Sequence, residues 1–142
     1  LDQYGTMSCC INMDVLDFKP TYKYDLIVSI STLEHVGWDE NPRQSGLGVV
    51  ALQHLRDTCL NSGGEAMISL PLGYNTELDR VVLGPEGDGM FTERIYLKRI
   101  SDNNDWKQVS RDEVAEATYG RPAVVAANAV VIGLLTKRKV TQ

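Results

Sequence analysis

Cysteine, histidine and basic charge are all scarce in this chain, and each scarcity excludes something. The three cysteines are Cys9, Cys10 and Cys59. An odd number with two adjacent makes a poor disulfide framework, so the thiols read as reduced and the setting as cytoplasmic. His35 and His54 are the two histidines, and without Cys-x-x-Cys or Cys/His spacing no metal site is expected. Lys and Arg number 14 against 19 Asp and Glu, a formal charge of −5. That balance argues against a nucleic-acid partner, which demands clustered cations. The basic run Lys137-Arg138-Lys139 reads as a solvated tail. The longest apolar run, Ala123 to Leu135, is broken by Asn128 and too short to cross a bilayer, so no membrane partner is expected. The first residues do not read as a signal peptide. What remains is the composition of an ordinary globular domain: 142 residues, 43% apolar and 23% charged.

Along the chain, Ser8 to Met13 reads as a short strand in which Cys9 and Cys10 are filler, and Asp17 to Pro20 as a turn. The strongest strand signal is Tyr24 to Ser31. Its continuous Leu26-Ile27-Val28 core suits a strand buried on both faces of a parallel sheet. After the loop Gly37 to Gly46, residues Leu47, Val50, Ala51, His54, Leu55, Thr58 and Cys59 recur at helical spacing, which predicts a helix from Leu47 to Leu60. Asn61-Ser62-Gly63-Gly64 is its stop signal, and Ala66 to Leu70, closed by Pro71, is the next buried strand. Strand, helix, strand in this order predicts an α/β fold. A short helix is expected from Thr76 to Leu83, a turn over Gly84 to Gly89, and a strand from Thr92 to Ile100. Ser110 and Glu113 form a capping box that predicts a helix to about Tyr119, and Ala123 to Thr136 reads as a long final strand. The whole predicts a mixed sheet with helices on its faces and an antiparallel C-terminal edge.

Acids stand where ligands are held in open α/β sheets, at the carboxyl ends of strands. Asp2 follows Leu1, Asp14 ends the first strand, and Glu34-His35 follows Tyr24 to Ser31. An acid at a strand end accepts ribose hydroxyls or an adenine amino group, although a lone acid there is also what a turn cap looks like. The loop Gly37-Trp38-Asp39-Glu40-Asn41-Pro42-Arg43 reads either as a lid over a small-molecule acceptor or as a surface loop with Trp38 folded back. Tyr74-Asn75 would face the same crevice, and Lys98, Arg99, Asn103, Asn104 and Trp106 would suit an anionic or sugar acceptor or a solvated strand edge.

Asp14-Val15-Leu16-Asp17-Phe18 followed by Tyr24-Asp25-Leu26-Ile27-Val28-Ser29-Ile30-Ser31-Thr32-Leu33-Glu34-His35-Val36-Gly37 resembles the Rossmann-like S-adenosylmethionine-dependent methyltransferases. The match is to the family's adenine-side acidic motif and its fourth strand. Gly63-Gly64 through Pro71-Leu72-Gly73 looks like its fifth strand and the loop leaving it. The resemblance implies a cofactor, S-adenosylmethionine, and a role for each matched residue. Asp2 would bind the ribose hydroxyls, while Asp14 and the Val15 backbone would read the adenine edge. Ser29, Ile30, Ser31 and Thr32 would line the methionine arm. Glu34 and His35 would stand at the mouth where a small-molecule acceptor enters, with His35 as base if the acceptor has a proton to lose, histidine being the base matched to neutral pH.

The family's glycine-rich first motif has no counterpart here: Gly63-Gly64 precedes a strand, and Gly84 to Gly89 lacks a buried strand before it. The expectation is therefore a truncated Rossmann-like methyltransferase fold, one partial domain over residues 1–142 cut before Leu1, its activity hanging on that motif. The family's first strand lies beside its fourth, so the edge of Leu26 to Ser31 would be unpaired and apolar. It would be covered by the N-terminal segment or by a second copy in a homo-oligomer. Two rivals stand beside this reading. One is a non-catalytic remnant acting in assembly or small-molecule binding. The other is a dinucleotide-binding oxidoreductase, disfavoured by the segment Ser31 to Gly37.

Overall fold

The aliphatic run Leu26-Ile27-Val28 forms the centre of the first strand, β1 (Tyr24–Ile30), in the computed structural model, which describes residues 11–120 and 126–138. Helix α1 (Leu47–His54) follows and is prolonged by a π-helical turn over Leu55–Cys59. The chain then returns as β2 (Leu60–Pro71), parallel to β1, as the periodicity predicts. Two short helices, α2 (Thr76–Leu83) and α3 (Pro85–Met90), lead into the hairpin β3 (Glu93–Arg99) and β4 (Trp106–Val109). Strand β5 (Ala129–Thr136) inserts between β2 and β3. The sheet order is β1-β2-β5-β3-β4, with β1 and β2 parallel and the other neighbours antiparallel: an open mixed sheet in an α/β protein.

Strand alternation divides the sheet into unequal faces. Ala66, Ile68 and Leu70 of β2, Val131 and Leu135 of β5 and Tyr96 of β3 are buried in one cluster with Ala51 and Leu52 of α1, Leu55 of the π-helical turn and Leu78 and Val82 of α2. That shared cluster, at about 25 cal/mol per Å² of apolar surface removed from water, holds helices to sheet. The register pairs Leu26 with Glu65 and Val28 with Met67, so these residues point to the opposite face. There Leu26, Val28, Ile30 and Met67 are 62%, 49%, 66% and 37% exposed.

Several sequence expectations change. β1 is not buried on both faces. Its outer edge agrees with the expectation for Leu26 to Ser31: it is the outermost strand, and among the described residues no strand pairs its other edge. The described helices pack on one face of the sheet through a common cluster, not on both. Asn61 to Gly64 do not end a helix in a loop but form extra residues inside β2, between the Tyr24–Leu60 and Leu26–Glu65 pairs. Gly63 takes a φ of 82° there, and its N–H donates to the Lys137 carbonyl at 2.7 Å. Gly84 to Gly89 is not a simple turn, because Pro85 at the first helical position pre-sets φ and opens α3. The capping box opens only a 3₁₀ turn, Asp112–Val114. Glu113 accepts from the Ser110 backbone N–H, but the Ser110 hydroxyl is spent on the same carboxylate oxygen instead of on a helical N–H. Strand β4 had no distinct signal in the pattern.

The last strand begins at Ala129 and not at Ala123, of which residues 121–125 lie outside the described residues. Just before it, Asn128 turns its side-chain amide to the carbonyls of Thr118 and Gly120, both at 2.8 Å, while its own carbonyl accepts from the Arg99 N–H. β5 is antiparallel, as expected, yet internal, because the β3–β4 hairpin adds beyond it. Of the expected first strand, Ser8 to Cys10 lie outside the described residues, whereas Ile11 to Met13 are not extended in a sheet, and Ile11 and Met13 are 56% and 51% exposed.

Candidate functional site

The parallel strands β1 and β2 deliver their carboxyl ends to one side of the sheet, and the chemistry-bearing residues gather there. β1 ends abruptly at Ser31, a non-glycine residue with φ of 45°, whose N–H still donates to the Ser69 carbonyl at 3.0 Å. A left-handed residue of this kind costs on the order of 1 kcal/mol and redirects the chain. Thr32 donates its hydroxyl back to the Ile30 carbonyl, and a 3₁₀ turn, Leu33–His35, follows.

A cavity of about 660 Å³ lies between this strand end and the loop that carries Asp14. Asp14, Val15, Ser29, Ile30, Ser31 and Thr32 all line it, and so does His35. Every described residue expected at the cofactor thus meets in one concavity, although Asp14 and Thr32 are far apart in the chain. Asp2 lies outside the described residues. The Asp14 carboxylate accepts from the Leu16 backbone N–H at 2.8 Å, so the turn-cap geometry is also present.

Glu34 departs from expectation. Its side chain is 3% exposed and does not line the cavity, so it is not at the mouth. Burial raises its carboxyl above the usual range, and Oε2 has no hydrogen-bond partner. The Glu34 carbonyl accepts from Asn75 Nδ2 at 3.0 Å, which ties the turn after β1 to the start of α2.

His35 is held by groups the sequence reading did not single out together. Its Nδ1 lies 2.6 Å from Asp39 Oδ2 and 3.1 Å from the Tyr74 hydroxyl. Tyr74 donates to the Asp39 carboxylate at 2.8 Å and stacks edge-on against both His35 and Tyr119, with ring centroids 4.9 Å apart in each pair. These bonds from His35 and then Tyr74 hold the Asp39 carboxyl below its ordinary value. Burial first, then the bond to Asp39, push the Tyr74 phenol up to about 12. Behind them Gly73, with φ of 86°, lets the chain pass against the Tyr119 backbone and donates its N–H to Asp79 at 2.9 Å. Burial raises Asp79 to about 6 against the pull of that bond.

The spacing of His35 and Asp39, four residues apart, was a signal available in the sequence; the approach of Tyr119 was not. Trp38 is half-buried beneath the Arg43 guanidinium, 3.7 Å from its ring, so the loop is braced by its own side chains. Lys98, Arg99, Asn104 and Trp106 do not join this site. They lie on the hairpin, beyond β2 and β5, where Arg99 stacks on Trp106 and bonds the Ala127 carbonyl and Asn104. His54, expected in packing, donates its Nε2–H to the Phe18 carbonyl, 2.7 Å away. Cys59 is a buried free thiol whose ionisation burial opposes. Among the described residues no group of acids, histidines and cysteines is placed to hold a metal, and no helix is long and apolar enough to cross a membrane.

Compared with known proteins, the chain matches no family model, no curated protein and no solved structure.

Proposed function

We propose that this chain is an S-adenosylmethionine-dependent methyltransferase-like protein and that the cavity at the end of β1 receives the cofactor. The observation that carries the reading is the meeting of Asp14, Val15 and Ser29 to Thr32 on one concave surface. The resemblance assigns those residues to the adenine edge and the methionine arm. A Rossmann-like fold suits the parallel neighbours β1 and β2, which stand in the order of the family's fourth and fifth strands. The outer edge of β1, which no strand pairs among the described residues, is the side on which that family carries its first strand.

The residues fit the group in size and chemistry. The volume falls within the range of small-molecule sites, about 300–1,000 Å³. Ile11, Met13, Val15 and Ile30 offer apolar walls to a planar base, and Asp14 is a carboxylate acceptor for an exocyclic amine. The bound cofactor supplies a methyl group already activated on a sulfonium. The chain's task is therefore to bind, orient and exclude water. Ser31 and Thr32 shape the arm's channel through a backbone held by Ser69 and Ile30, and His35 stands on the same wall for an incoming acceptor.

Calorimetric titration with S-adenosylmethionine and S-adenosylhomocysteine tests the reading. Saturable binding is expected, weakened at least about tenfold by Asp14→Ala, the loss of roughly one charge-assisted hydrogen bond. Absence of binding to either compound would overturn it. A second reading, a methyltransferase-fold remnant that serves in assembly, draws on the exposed Leu26, Val28 and Ile30 of the edge strand. Binding without methyl transfer to any acceptor would favour it.

A further inference from the structure

We propose that a second cavity, at the end of the sheet where β2 begins and β5 ends, binds a small phosphate-bearing anion. This cavity has a volume of about 440 Å³ and is lined by three cations, Arg56, Lys137 and Arg138, beside the hydroxyl residues Thr92 and Thr136. It shares no lining residue with the cavity that holds Asp14 and His35. Lys137, expected in a solvated tail, is built into the fold. Its N–H donates to the Gly64 carbonyl at 3.1 Å, and its own carbonyl accepts from the Gly63 N–H at 2.7 Å. Its ammonium donates to the backbone carbonyls of Asp57 at 2.5 Å and Leu60 at 3.2 Å.

The extra residues inside β2 gather a further cation at the same place. Asn61 Nδ2 donates to the Lys23 carbonyl at 3.3 Å and to Asp25 Oδ1 at 2.7 Å, which fixes the chain as it enters β1. The Lys23 ammonium then stands beside that of Lys137, and burial first, then Lys23, hold Lys137 below its ordinary value. The two acids on the wall, Asp57 and Asp88, are already paired. Asp57 takes the Arg56 guanidinium on both oxygens, at 2.7 and 3.0 Å, and Asp88 takes Arg94. Lys137 and Arg138 form no ion pair with an acid among the described residues, so the wall keeps an unneutralised positive charge. Two such cations, with Lys23 beside them, match a dianion. A guanidinium fork with neighbouring hydroxyls suits the oxygens of a phosphate. The volume exceeds that of a phosphate group alone, and Met90 and Phe91 give the rest of the wall an apolar surface for an organic substituent. The formal charge of −5 over the whole chain repels long polyanions, which restricts the ligand to a small molecule.

Calorimetric titration of the full chain with inorganic phosphate and with glycerol phosphate, at fixed ionic strength, tests the site. Saturable binding of at least one of them is expected. Arg138→Gln, at an exposed position, is expected to weaken it about tenfold, the loss of one charge-assisted hydrogen bond. Lys137→Gln keeps a donor for the Asp57 and Leu60 carbonyls, removes the charge and is expected to act in the same direction. Tighter binding of the ester assigns the site to a phosphorylated small molecule, and equal affinity assigns it to the free anion; either supports a phosphate site. Amide NMR shifts are expected at Thr92, Thr136 and Lys137. No binding of either compound, an affinity that Arg138→Gln leaves unchanged, or shifts confined to Ser29 to Thr32 would overturn the proposal.

Discussion

Asn75 and Glu34 are joined by a buried hydrogen bond that couples the end of β1 to the start of α2. Asn75 Nδ2 donates to the Glu34 carbonyl at 3.0 Å, while its Oδ1 accepts from the backbone N–H groups of Glu77 and Leu78 at 3.1 Å. Asn75 is 2% exposed, so neither end of this clamp has water in reserve. Asn75→Ala is expected to destabilise the fold by about 2–3 kcal/mol, the sum of a lost helix cap and an orphaned carbonyl. Asn75→Asp keeps the cap and loses the donor. A urea midpoint for Asn75→Asp equal to wild type would show that the bond to Glu34 contributes nothing.

Asp79 makes stability depend on pH with an inverted sign. Its folded-state value of about 6 lies above the ordinary 3.8, so the folded chain binds a proton more readily than the unfolded one. Stability therefore rises as pH falls from above 6 toward 3.8, and the deficit is full above 6. Asp79→Asn retains an oxygen for the Gly73 N–H and carries no charge. It is expected to exceed wild type by about 1–2 kcal/mol near pH 8 and to lose that advantage near pH 4, after discounting the shift for solvent screening. Denaturation curves at the two pH values that superpose for both proteins would refute the assignment.

Gly73→Ala meets two obstacles. The residue has a φ of 86°, and a Cβ would stand 2.4 Å from the Tyr119 backbone nitrogen and 2.6 Å from the Ala117 carbonyl oxygen. Backbone cannot swing aside as a side chain can, so a loss of more than about 2 kcal/mol is expected, read as a lowered Tm. The stacking of Tyr74 on Tyr119 would be disturbed at the same time, and a melting curve unchanged from wild type would contradict this account.

The outer edge of β1 predicts self-association. Leu26, Val28 and Ile30 are exposed on the strand that is outermost among the described residues, and an apolar edge with no partner strand recruits other strands. Sedimentation velocity is expected to show concentration-dependent association, reduced by Leu26→Lys, which places a charge on the exposed face. A chain that sediments as a monomer at every concentration, with or without the substitution, would exclude this behaviour.

The sequence was most legible where a single period carried the signal. The β-branched centre of β1 and the helical spacing from Leu47 to Cys59 located the parallel crossover, because each pattern reports the burial of one local element. It was least legible where local chemistry competes with neighbours. The Ser110–Glu113 box spends its hydroxyl on its own glutamate, and Asn61 to Gly64 form a bulge in which Lys137, just past β5, gives the Gly63 and Gly64 backbone groups partners. At the candidate site, Asp14 and Ser29 to Thr32 could be named from the chain, since they sit at the ends of readable segments. The brace on His35 could not, because Tyr74 and Tyr119 reach it across long sequence separations.

By itself, the sequence determined the α/β class, the adjacency of the first crossover strands and the identity of the acids and histidine at their ends. These follow from hydrophobic period and turn chemistry, which act over a few residues. Only the tertiary structure decided that one face of β1 is exposed, that β5 is internal, and that Glu34 is buried while His35 lines the cavity. Those outcomes depend on which distant segments compete for the same surface, and no local pattern encodes that competition.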